Sequence, residues 1–320
     1  MSALPVSVIT GFLGSGKTTL LSRLLRDPAF ERTAVIINEF GAVGLDHLLV
    51  ESSDETILTL EGGCVCCTVR GDLVRTAGDL LARRAAGTVT PFERIVIETT
   101  GLADPAPIVH ALMTDRDIAE QLRLESVITT VDAAAGAATL DAHPQSVKQA
   151  ALADCIVVTK SDLADPAEIT ERLQALNPGA PKLRAVHGAV DARLLFQTHR
   201  AFPENGDSHH FLSDGITTFC LRREEPLHAV TLGLFLEVVA EHCGARLLRL
   251  KGLVDVVESP GRPAVIHGVQ HVFHPPAWLD EWPDQDHGTR IVVISQGLDA
   301  RWLRNLLEVL EEEVKACSIS

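Results

Sequence analysis

The segment GFLGSGKT occupies residues 11–18 and matches the pattern G-x-x-x-x-G-K-[ST]. A short apolar run at 6–9 precedes it, and a helix-like segment at 18–26 follows it. Glycines in such a segment let backbone N–H groups turn inward around phosphate oxygens, and the helix behind it directs its positive end at the anion. A strand, a glycine-rich loop and a helix in this order predict a phosphate-binding loop.

Two polar residues at the end of this loop have roles in nucleotide binding. Lys17 brings a compact positive charge to the β- and γ-phosphates of a nucleotide, and the Thr18 hydroxyl is suited to ligate Mg²⁺. Lys17 is one of only six lysines beside 22 arginines, so an incidental lysine in a glycine-rich turn is the weaker interpretation. The nucleotide-binding candidates in this segment are Gly11, Gly14, Ser15, Gly16, Lys17, Thr18 and Thr19.

The first 200 residues alternate strand-like apolar runs with helix-like segments. Continuous β-branched runs are typical of strands whose two sheet faces are covered by helices. We therefore predict an α/β fold with a doubly wound, mostly parallel P-loop GTPase sheet. The predicted strands are 6–9, 34–38, 56–60, 94–98, 127–132, 155–160 and 183–186, and the predicted helices are 18–26, 72–84, 105–113, 145–153 and 166–176.

A polar, turn-rich segment at 201–214 separates this part from a region with a different order of elements. Successive strands without helices between them predict a smaller C-terminal α+β domain with antiparallel strands. The predicted strands there are 216–221, 246–257, 264–273 and 290–295, and the predicted helices are 227–242 and one that starts at 299. We place the two domains at 1–205 and 213–320.

The composition is ordinary for a globular protein, but the charge and the cysteines are informative. Of 320 residues, 46% are apolar. No run of about 18 apolar residues is present, so we expect no membrane-spanning helix. No basic region precedes an apolar stretch at the N-terminus, so we expect no secretion signal. A net charge of −15 disfavours nucleic acid and anionic membranes as partners. Seven cysteines, an odd number, predict reduced thiols and a cytoplasmic location.

Residues 159–162 read TKSD and resemble the N-K-x-D guanine motif of GTPases. The Asp162 carboxylate can accept hydrogen bonds from both the N1–H and the exocyclic amine of guanine. Adenine has neither donor at these two positions. We expect the stem of Lys160 to lie over the base. Thr159 stands where Asn is usual, which we expect to weaken one supporting contact. A strand end followed by a capping Asp is the alternative interpretation.

Residues 94–101, RIVIETTG, provide a third nucleotide element. P-loop NTPases place a Mg²⁺-linked acid and a γ-phosphate-sensing glycine after such a strand. Glu98 and Gly101 are the candidates here, and a plain strand followed by a turn is the alternative. The catalytic candidates are thus Lys17, Thr18 and Glu98. No residue that positions the attacking water is evident, which is compatible with slow turnover.

Three cysteines, Cys64, Cys66 and Cys67, fall within four residues. Three thiolates nearly complete a tetrahedral Zn²⁺ site; Cu⁺, Co²⁺ and Ni²⁺ are alternatives, as are structural or redox cysteines. In P-loop GTPases the first switch lies between the phosphate-loop helix and the γ-phosphate-sensing strand, as this cluster does. A metal site there can be assembled when the γ-phosphate orders the segment. The other cysteines are read as structural or incidental: Cys155, Cys220, Cys243 and Cys317.

Together these segments resemble the CobW family of P-loop GTPases, which are nucleotide-dependent metallochaperones. The resemblance covers most of the chain and is closest to short members without a long His-rich tract. The matching segments are GFLGSGKTTL (11–20), INEFG (37–41), EGGCVCC (61–67), ETTGLADP (98–105), TKSD (159–162), LLRLKG (247–252) and HGVQHVF (267–273).

The resemblance implies a slow GTPase that uses GTP and Mg²⁺ and loads Zn²⁺, or Co²⁺ in some members, into a metal-requiring client protein. It also places Glu39 near the nucleotide or the metal. Ile37 and Ala42 stand where some relatives carry acids, which argues against an accessory metal site there. A metal-sequestering or sensing protein and a P-loop kinase of a small metabolite stay open as alternatives, and so does the oligomeric state.

Five histidines are weaker metal candidates. His209 and His210 lie in the polar segment and are most simply read as solvated. His267, His271 and His274 lie in a strand-like run of the second domain, where alternation would place 267 and 271 on one face and 274 on the other.

Overall fold

The computed structural model of the chain describes residues 3–37, 57–59, 67–196, 210–211 and 215–319. The chain divides into two units, one comprising Met1–Leu173 and Ala180–Thr198 and the other comprising Gln174–Gly179 and His199–Ser320. Within the described ranges, no helix has the length and apolar character needed to cross a membrane.

A parallel sheet forms the centre of the first unit, and all of its described strand pairs are parallel. Its strands are β1 (Leu4–Gly11), β2 (Thr33–Ile37), β3 (Ile57–Thr59), β4 (Arg94–Glu98), β5 (Leu122–Asp132), β6 (Cys155–Thr159) and β7 (Lys182–Arg184). They lie in the order β3-β2-β4-β1-β5-β6-β7, so β1 is flanked by β4 and β5. The predicted doubly wound sheet is confirmed.

Helices cover both faces of this sheet. They are α1 (Lys17–Leu24), α2 (Cys67–Ala85), α3 (Ala106–Thr114), α4 (Gly136–Ala142), α5 (Pro144–Leu152), α6 (Ala167–Leu176) and α7 (Ala192–Phe196), with a 3-10 turn at Pro28–Phe30. On one face, Val8 and Ile97 pack in a core with Leu80 of α2. On the other face, Ile9 packs in a core with Leu20 of α1. Burial on both faces explains why the strands are continuously apolar.

Three helices differ from their predictions. Helix α2 begins at Cys67 and runs through Gly71, whereas it was predicted from 72, because glycine is an unreliable stop signal. The short helices α4 and α7 were not predicted, since five to seven residues show little periodicity. Gly136 in α4 permits close packing, because a Cβ there would lie 2.8 Å from Cγ1 of Val131.

The second unit is an antiparallel sheet with two long helices, as predicted. Its strands are β8 (His210–Phe211), β9 (Ile216–Arg223), β10 (Leu247–Val254), β11 (Ala264–Val269), β12 (Val272–Phe273), β13 (Ala277–Trp278) and β14 (Thr289–Gln296). They lie in the order β12-β11-β10-β14-β9-β8, and β13 pairs with β11. The helices are α8 (Ala229–Cys243) and α9 (Ala300–Ile319), with a 3-10 turn at Gly244–Arg246. Phe235 of α8 and Leu303 of α9 share a core with Leu250 and Val293 of the sheet.

The single strand predicted at 264–273 is wrong, because this segment is a hairpin. The chain turns at Gln270, whose φ is +54°, and the His274 N–H donates to the His267 carbonyl at 3.0 Å. His267 and His274 therefore lie opposite each other and His271 lies in the turn, so the predicted shared face of 267 and 271 does not exist. The two turn residues are neither glycine nor asparagine, the residues that usually mark a hairpin turn, so the sequence carried no signal for this turn.

The segment predicted as a linker, 201–214, contains a short strand. His210 and Phe211 form β8 and pair with Thr218 and Thr217 of β9. His209 lies outside the described residues.

Replacing Ile97 by Ala should lower the free energy of unfolding by about 3 kcal/mol, because Ile97 is fully buried and the substitution leaves a cavity in the central sheet. Urea unfolding followed by circular dichroism measures the change. Leu163→Ala is the matched control, because Leu163 is 70% exposed and should shift the transition little. Equal shifts for the two variants would contradict the assigned core.

Candidate functional site

The carboxyl ends of four neighbouring strands meet at one edge of the parallel sheet. Gly11 ends β1, Glu98 ends β4, Asp132 ends β5 and Thr159 ends β6. In open α/β sheets, ligands bind outside this edge, at the point where the strand order reverses. The topology therefore gathers the phosphate loop, the acid and the base motif that the sequence predicted.

The backbone of the phosphate loop requires its glycines. Gly11, Gly14 and Gly16 have φ values of +141°, +71° and +92°. A Cβ at Gly11 would lie 2.3 Å from the Thr130 hydroxyl oxygen, so no side chain fits there. The Ser15 N–H donates to the Phe12 carbonyl at 3.1 Å and closes the loop.

The Lys17 ammonium is held inside this loop. Its Nζ donates to the carbonyl oxygens of Gly11 at 3.0 Å and Phe12 at 3.1 Å, and the residue is buried. Helix α1 begins at Lys17, so the positive end of its dipole lies at the same place. The loop therefore concentrates positive potential where the sequence predicted phosphate binding.

Thr18 and Glu98 are brought together across 80 residues of sequence. The Thr18 hydroxyl donates to Oε1 of Glu98 at 2.7 Å, and Glu98 is buried at the end of β4. A hydroxyl beside a carboxylate is a set of hard oxygen donors, which is the chemistry that Mg²⁺ prefers. These two residues therefore fit a magnesium ion at the phosphate loop.

Gly101 lies directly against the phosphate loop. A Cβ at this position would lie 2.6 Å from the Leu13 side chain and 2.7 Å from the Leu13 backbone nitrogen. The segment after β4 is attached to β1 as well, since the Thr99 N–H donates to the Ile9 carbonyl at 2.9 Å. Close approach of two backbones thus explains the glycine and keeps its N–H near the loop.

Thr159 joins the TKSD segment, the predicted base motif, to the phosphate loop. Its hydroxyl donates to the Ser15 carbonyl at 2.7 Å, and the residue is buried. A Cβ on Gly16 would contact the Thr159 side chain at 3.5 Å. The residue that departs from the usual Asn therefore supplies a supporting contact of its own.

Asp132 was not predicted, yet it holds Lys160. The Lys160 Nζ donates to Oδ2 of Asp132 at 2.6 Å, and Lys160 has a left-handed φ of +55°. Burial raises the pKa of Asp132, but the hydrogen bonds from Lys160 and from the N–H groups of Ala134 and Ala135 outweigh it and lower the pKa below its ordinary value. The carboxylate stays charged at neutral pH and fixes the Lys160 stem. An acid at the end of an apolar strand was the available signal.

A turn after β7 approaches Asp162 and the phosphate-loop helix. His187 Nε2 lies 3.9 Å from Oδ2 of Asp162, and the Asp162 side chain is 27% exposed. His187 and Gly188 are left-handed, and a Cβ on Gly188 would lie 2.8 Å from the Thr19 carbonyl. Sequence reasoning missed this turn, although the His-Gly dipeptide is a turn signal.

The predicted metal ligands fall mostly outside the described residues. Cys64, Cys66 and Glu39 lie outside them, as does Ala42, and Cys67 is described only as the first residue of α2. Within the described ranges, no three His, Cys, Asp or Glu side chains cluster closely enough to hold a metal ion. Of the remaining cysteines, three are buried and one is exposed: Cys155, Cys220, Cys243 and Cys317. The Cys-x-Cys-Cys site therefore stays a prediction.

Thr159→Val should weaken binding of a guanine nucleotide about five- to tenfold, because the buried Ser15 carbonyl loses its hydroxyl donor while side-chain volume is kept. Thr159→Ser retains the hydroxyl and should bind nearly as the wild type does. Fluorescent-nucleotide titration measures both. If Val and Ser variants bind equally well, the hydrogen bond does not support the loop.

Two family descriptions match the chain. The CobW/HypB/UreG nucleotide-binding domain matches residues 5–184, and the cobalamin synthesis protein cobW C-terminal domain matches residues 216–311. Together they cover both units of the structure and agree with the loop, acid and base motif described above.

Relatives and a solved structure agree with this match. Zinc chaperone YjiA of Escherichia coli strain K12 is 32% identical over 325 residues, covering 99% of this chain and 98% of the relative. Zinc chaperone CobW of Pseudomonas aeruginosa is 31% identical over 357 residues, covering 96% and 91%. The crystal structure of Zn(II)-bound YjiA GTPase from E. coli is 25% identical, covers 97% of this chain and 99% of that one, and has a TM-score of 0.72. The chain therefore belongs to the CobW family of P-loop GTPases.

Proposed function

We propose that this protein is a GTP-dependent metallochaperone that binds zinc at Cys64, Cys66 and Cys67 and transfers it to a metal-requiring client protein. GTP hydrolysis would gate the release. The family assignment supports the GTPase activity in this proposal, since the matched E. coli structure is that of a GTPase. The zinc function is supported by the relatives that are named zinc chaperones. We expect the exchange to take place in the cytoplasm, where thiols stay reduced.

The observation that carries the nucleotide part is the contact between Thr18 and Glu98 at the phosphate loop. The Thr18 hydroxyl would hold Mg²⁺, and Glu98 would orient that hydroxyl. When bound, the ion neutralises charge on the phosphates. Lys17 and the loop N–H groups would stabilise the charge that develops as the γ-phosphoryl group transfers, and the Gly101 N–H would contact this group.

Guanine selectivity would come from Asp162. Its carboxylate would accept the two N–H groups on one edge of guanine, which adenine does not present. Asp132 fixes Lys160 through a 2.6 Å ion pair, which supports our expectation that the Lys160 stem forms one wall of the base site. A kinase of a small metabolite would have no use for this carboxylate.

The metal part rests on where the cysteines lie in the chain. Their segment follows β3, whose last residue is Thr59, and it reaches α2, which begins at Cys67. The γ-phosphate would act on the same region through Gly101 after β4. A metal site that is completed only with GTP must in turn tighten GTP binding by the same factor, because binding linkage is reciprocal. Thiolates favour Zn²⁺, and Co²⁺ is the second choice.

Asp162→Asn should lower GTP affinity about a hundredfold and leave ATP affinity unchanged, because the amide cannot accept both guanine N–H groups. Glu171→Gln makes the same charge change at an exposed position on α6 and should have no effect. Competition titrations with GTP and ATP measure the ratio. An unchanged preference in Asp162→Asn would remove Asp162 from the base site, and ATP preference in the wild type would favour the kinase alternative.

Cys66→Ser should lower Zn²⁺ affinity by more than about tenfold and abolish the difference in Zn²⁺ affinity between the GTP-analogue and GDP states, because one of three thiolates is lost. Cys317→Ser is the matched control, since Cys317 is an exposed cysteine in α9. Competition with a chromophoric chelator measures both affinities. Equal Zn²⁺ affinity with the GTP analogue and with GDP in the wild type would contradict the gating.

Transfer is distinguished from sequestration by the fate of the metal. The protein locked with a non-hydrolysable GTP analogue should capture a client in a pull-down, and Zn²⁺ should appear in that client only when GTP is hydrolysed. Retention of Zn²⁺ through repeated turnover would instead indicate a sequestering or sensing protein.

A further inference from the structure

Helix α5 touches two separate parts of the nucleotide site. Just before its first residue, the His143 ring stacks on the Phe12 ring of the phosphate loop, with centroids 4.4 Å apart and an interplanar angle of 21°. Nearer its end, Gln149 Nε2 donates to the carbonyl oxygens of Gly101 at 3.2 Å and Ala103 at 2.9 Å. One helix therefore contacts both the phosphate loop and the segment after β4.

The chemistry of the Gln149 contact is specific. A side-chain amide has two N–H donors on its nitrogen, and here each of them meets a backbone carbonyl. The residue is fully buried, and its backbone carbonyl accepts a hydrogen bond from the Thr129 hydroxyl at 2.7 Å, which fixes α5 to β5. A side chain without an N–H group would leave two buried carbonyls without this donor.

The preceding residue of α5, Lys148, makes a second contact with the same segment. Lys148 Nζ lies 3.5 Å from Oδ2 of Asp104, and Asp104 caps the start of α3 through the Ala106 N–H at 2.9 Å. These groups are partly exposed, so this tie is the weaker one. The buried contact of Gln149 therefore dominates the attachment of the segment to α5.

Gly101 depends on such a contact because it has no side chain to hold it. A glycine samples a wide range of φ and ψ. Its N–H lies in one peptide plane with the Thr100 carbonyl, which accepts hydrogen bonds from the Ala103 N–H and the Thr99 hydroxyl, each at 3.2 Å. Gln149 holds the carbonyls of Gly101 and Ala103, so it fixes the residue whose N–H donates to this peptide. These bonds together hold the peptide that carries the Gly101 N–H, close to Leu13 of the phosphate loop.

We infer that Gln149 is a positioning residue for GTP hydrolysis, which directs the Gly101 N–H toward the γ-phosphate by holding the carbonyls of Gly101 and Ala103. This inference rests on the proposed role of Gly101. Because GDP lacks the γ-phosphate, the contact matters for GTP and its hydrolysis and hardly for GDP. We expect a difference between GTP and GDP to reach α5 through this contact.

Gln149→Met tests this directly, because Met has a similar length and no N–H donor. We expect kcat for GTP hydrolysis to fall about tenfold and the Kd for GDP to change less than about twofold. Gln145→Met is the matched control, since Gln145 lies one helical turn earlier on α5 and is exposed. A wild-type kcat, or an equal loss of GTP and GDP affinity with a lowered melting temperature, would overturn the inference.

Hydrogen exchange of the wild-type protein provides a test that does not depend on a variant folding. Amides of Ser146–Ala150 should exchange more slowly with a GTP analogue than with GDP, because the γ-phosphate orders the segment that Gln149 holds. Identical exchange in the two states would overturn the inference.

Lys17→Ala separates this inference from the proposed function. If that variant retains full GTP affinity, the proposed nucleotide site fails. If it loses GTP affinity while Gln149→Met behaves like Gln145→Met, the nucleotide site stands and only the role of Gln149 is rejected.

Discussion

The absence of room for a side chain at Gly11 is the constraint on which the nucleotide site depends. The end of β1 lies so close to β5 that a Cβ at Gly11 would collide with the Thr130 hydroxyl at 2.3 Å. The chain must therefore turn sharply there, and the carbonyls of Gly11 and Phe12 come to face Lys17. Every other element of the site approaches this turn: the end of β4, the end of β6 and the start of α5.

Two of these approaches are made by hydrogen bonds to the loop and the start of α1. Glu98 reaches the loop through Thr18, and Thr159 reaches it through the Ser15 carbonyl. Each contact joins residues far apart in sequence and close to the loop in space. The phosphate loop is therefore in direct contact with the strand ends that carry Glu98 and Thr159.

The sequence predicted the parts of this site that have local signatures. The phosphate loop, the acid at 98 and the TKSD segment each carry a pattern within eight residues, and both fold classes followed from the order of strands and helices. Asp132 offers only a weak local signal, an acid at a strand end, and Gln149 offers none. Their partners lie 28 and 48 residues away, and only the tertiary fold brings each residue to its partner. The hairpin was missed for a different reason, since Gln270 and His271 in its turn are not among the residues that usually mark one.

The Thr159 hydroxyl has a consequence for how affinity is distributed over the nucleotide. Its hydrogen bond attaches the TKSD segment, the proposed base site, directly to the phosphate loop. A ligand that spans both halves loses its rotational freedom only once, so the second contact acts at a high effective concentration. We therefore expect guanosine and pyrophosphate, taken separately, to bind far more weakly than the intact nucleotide that joins them.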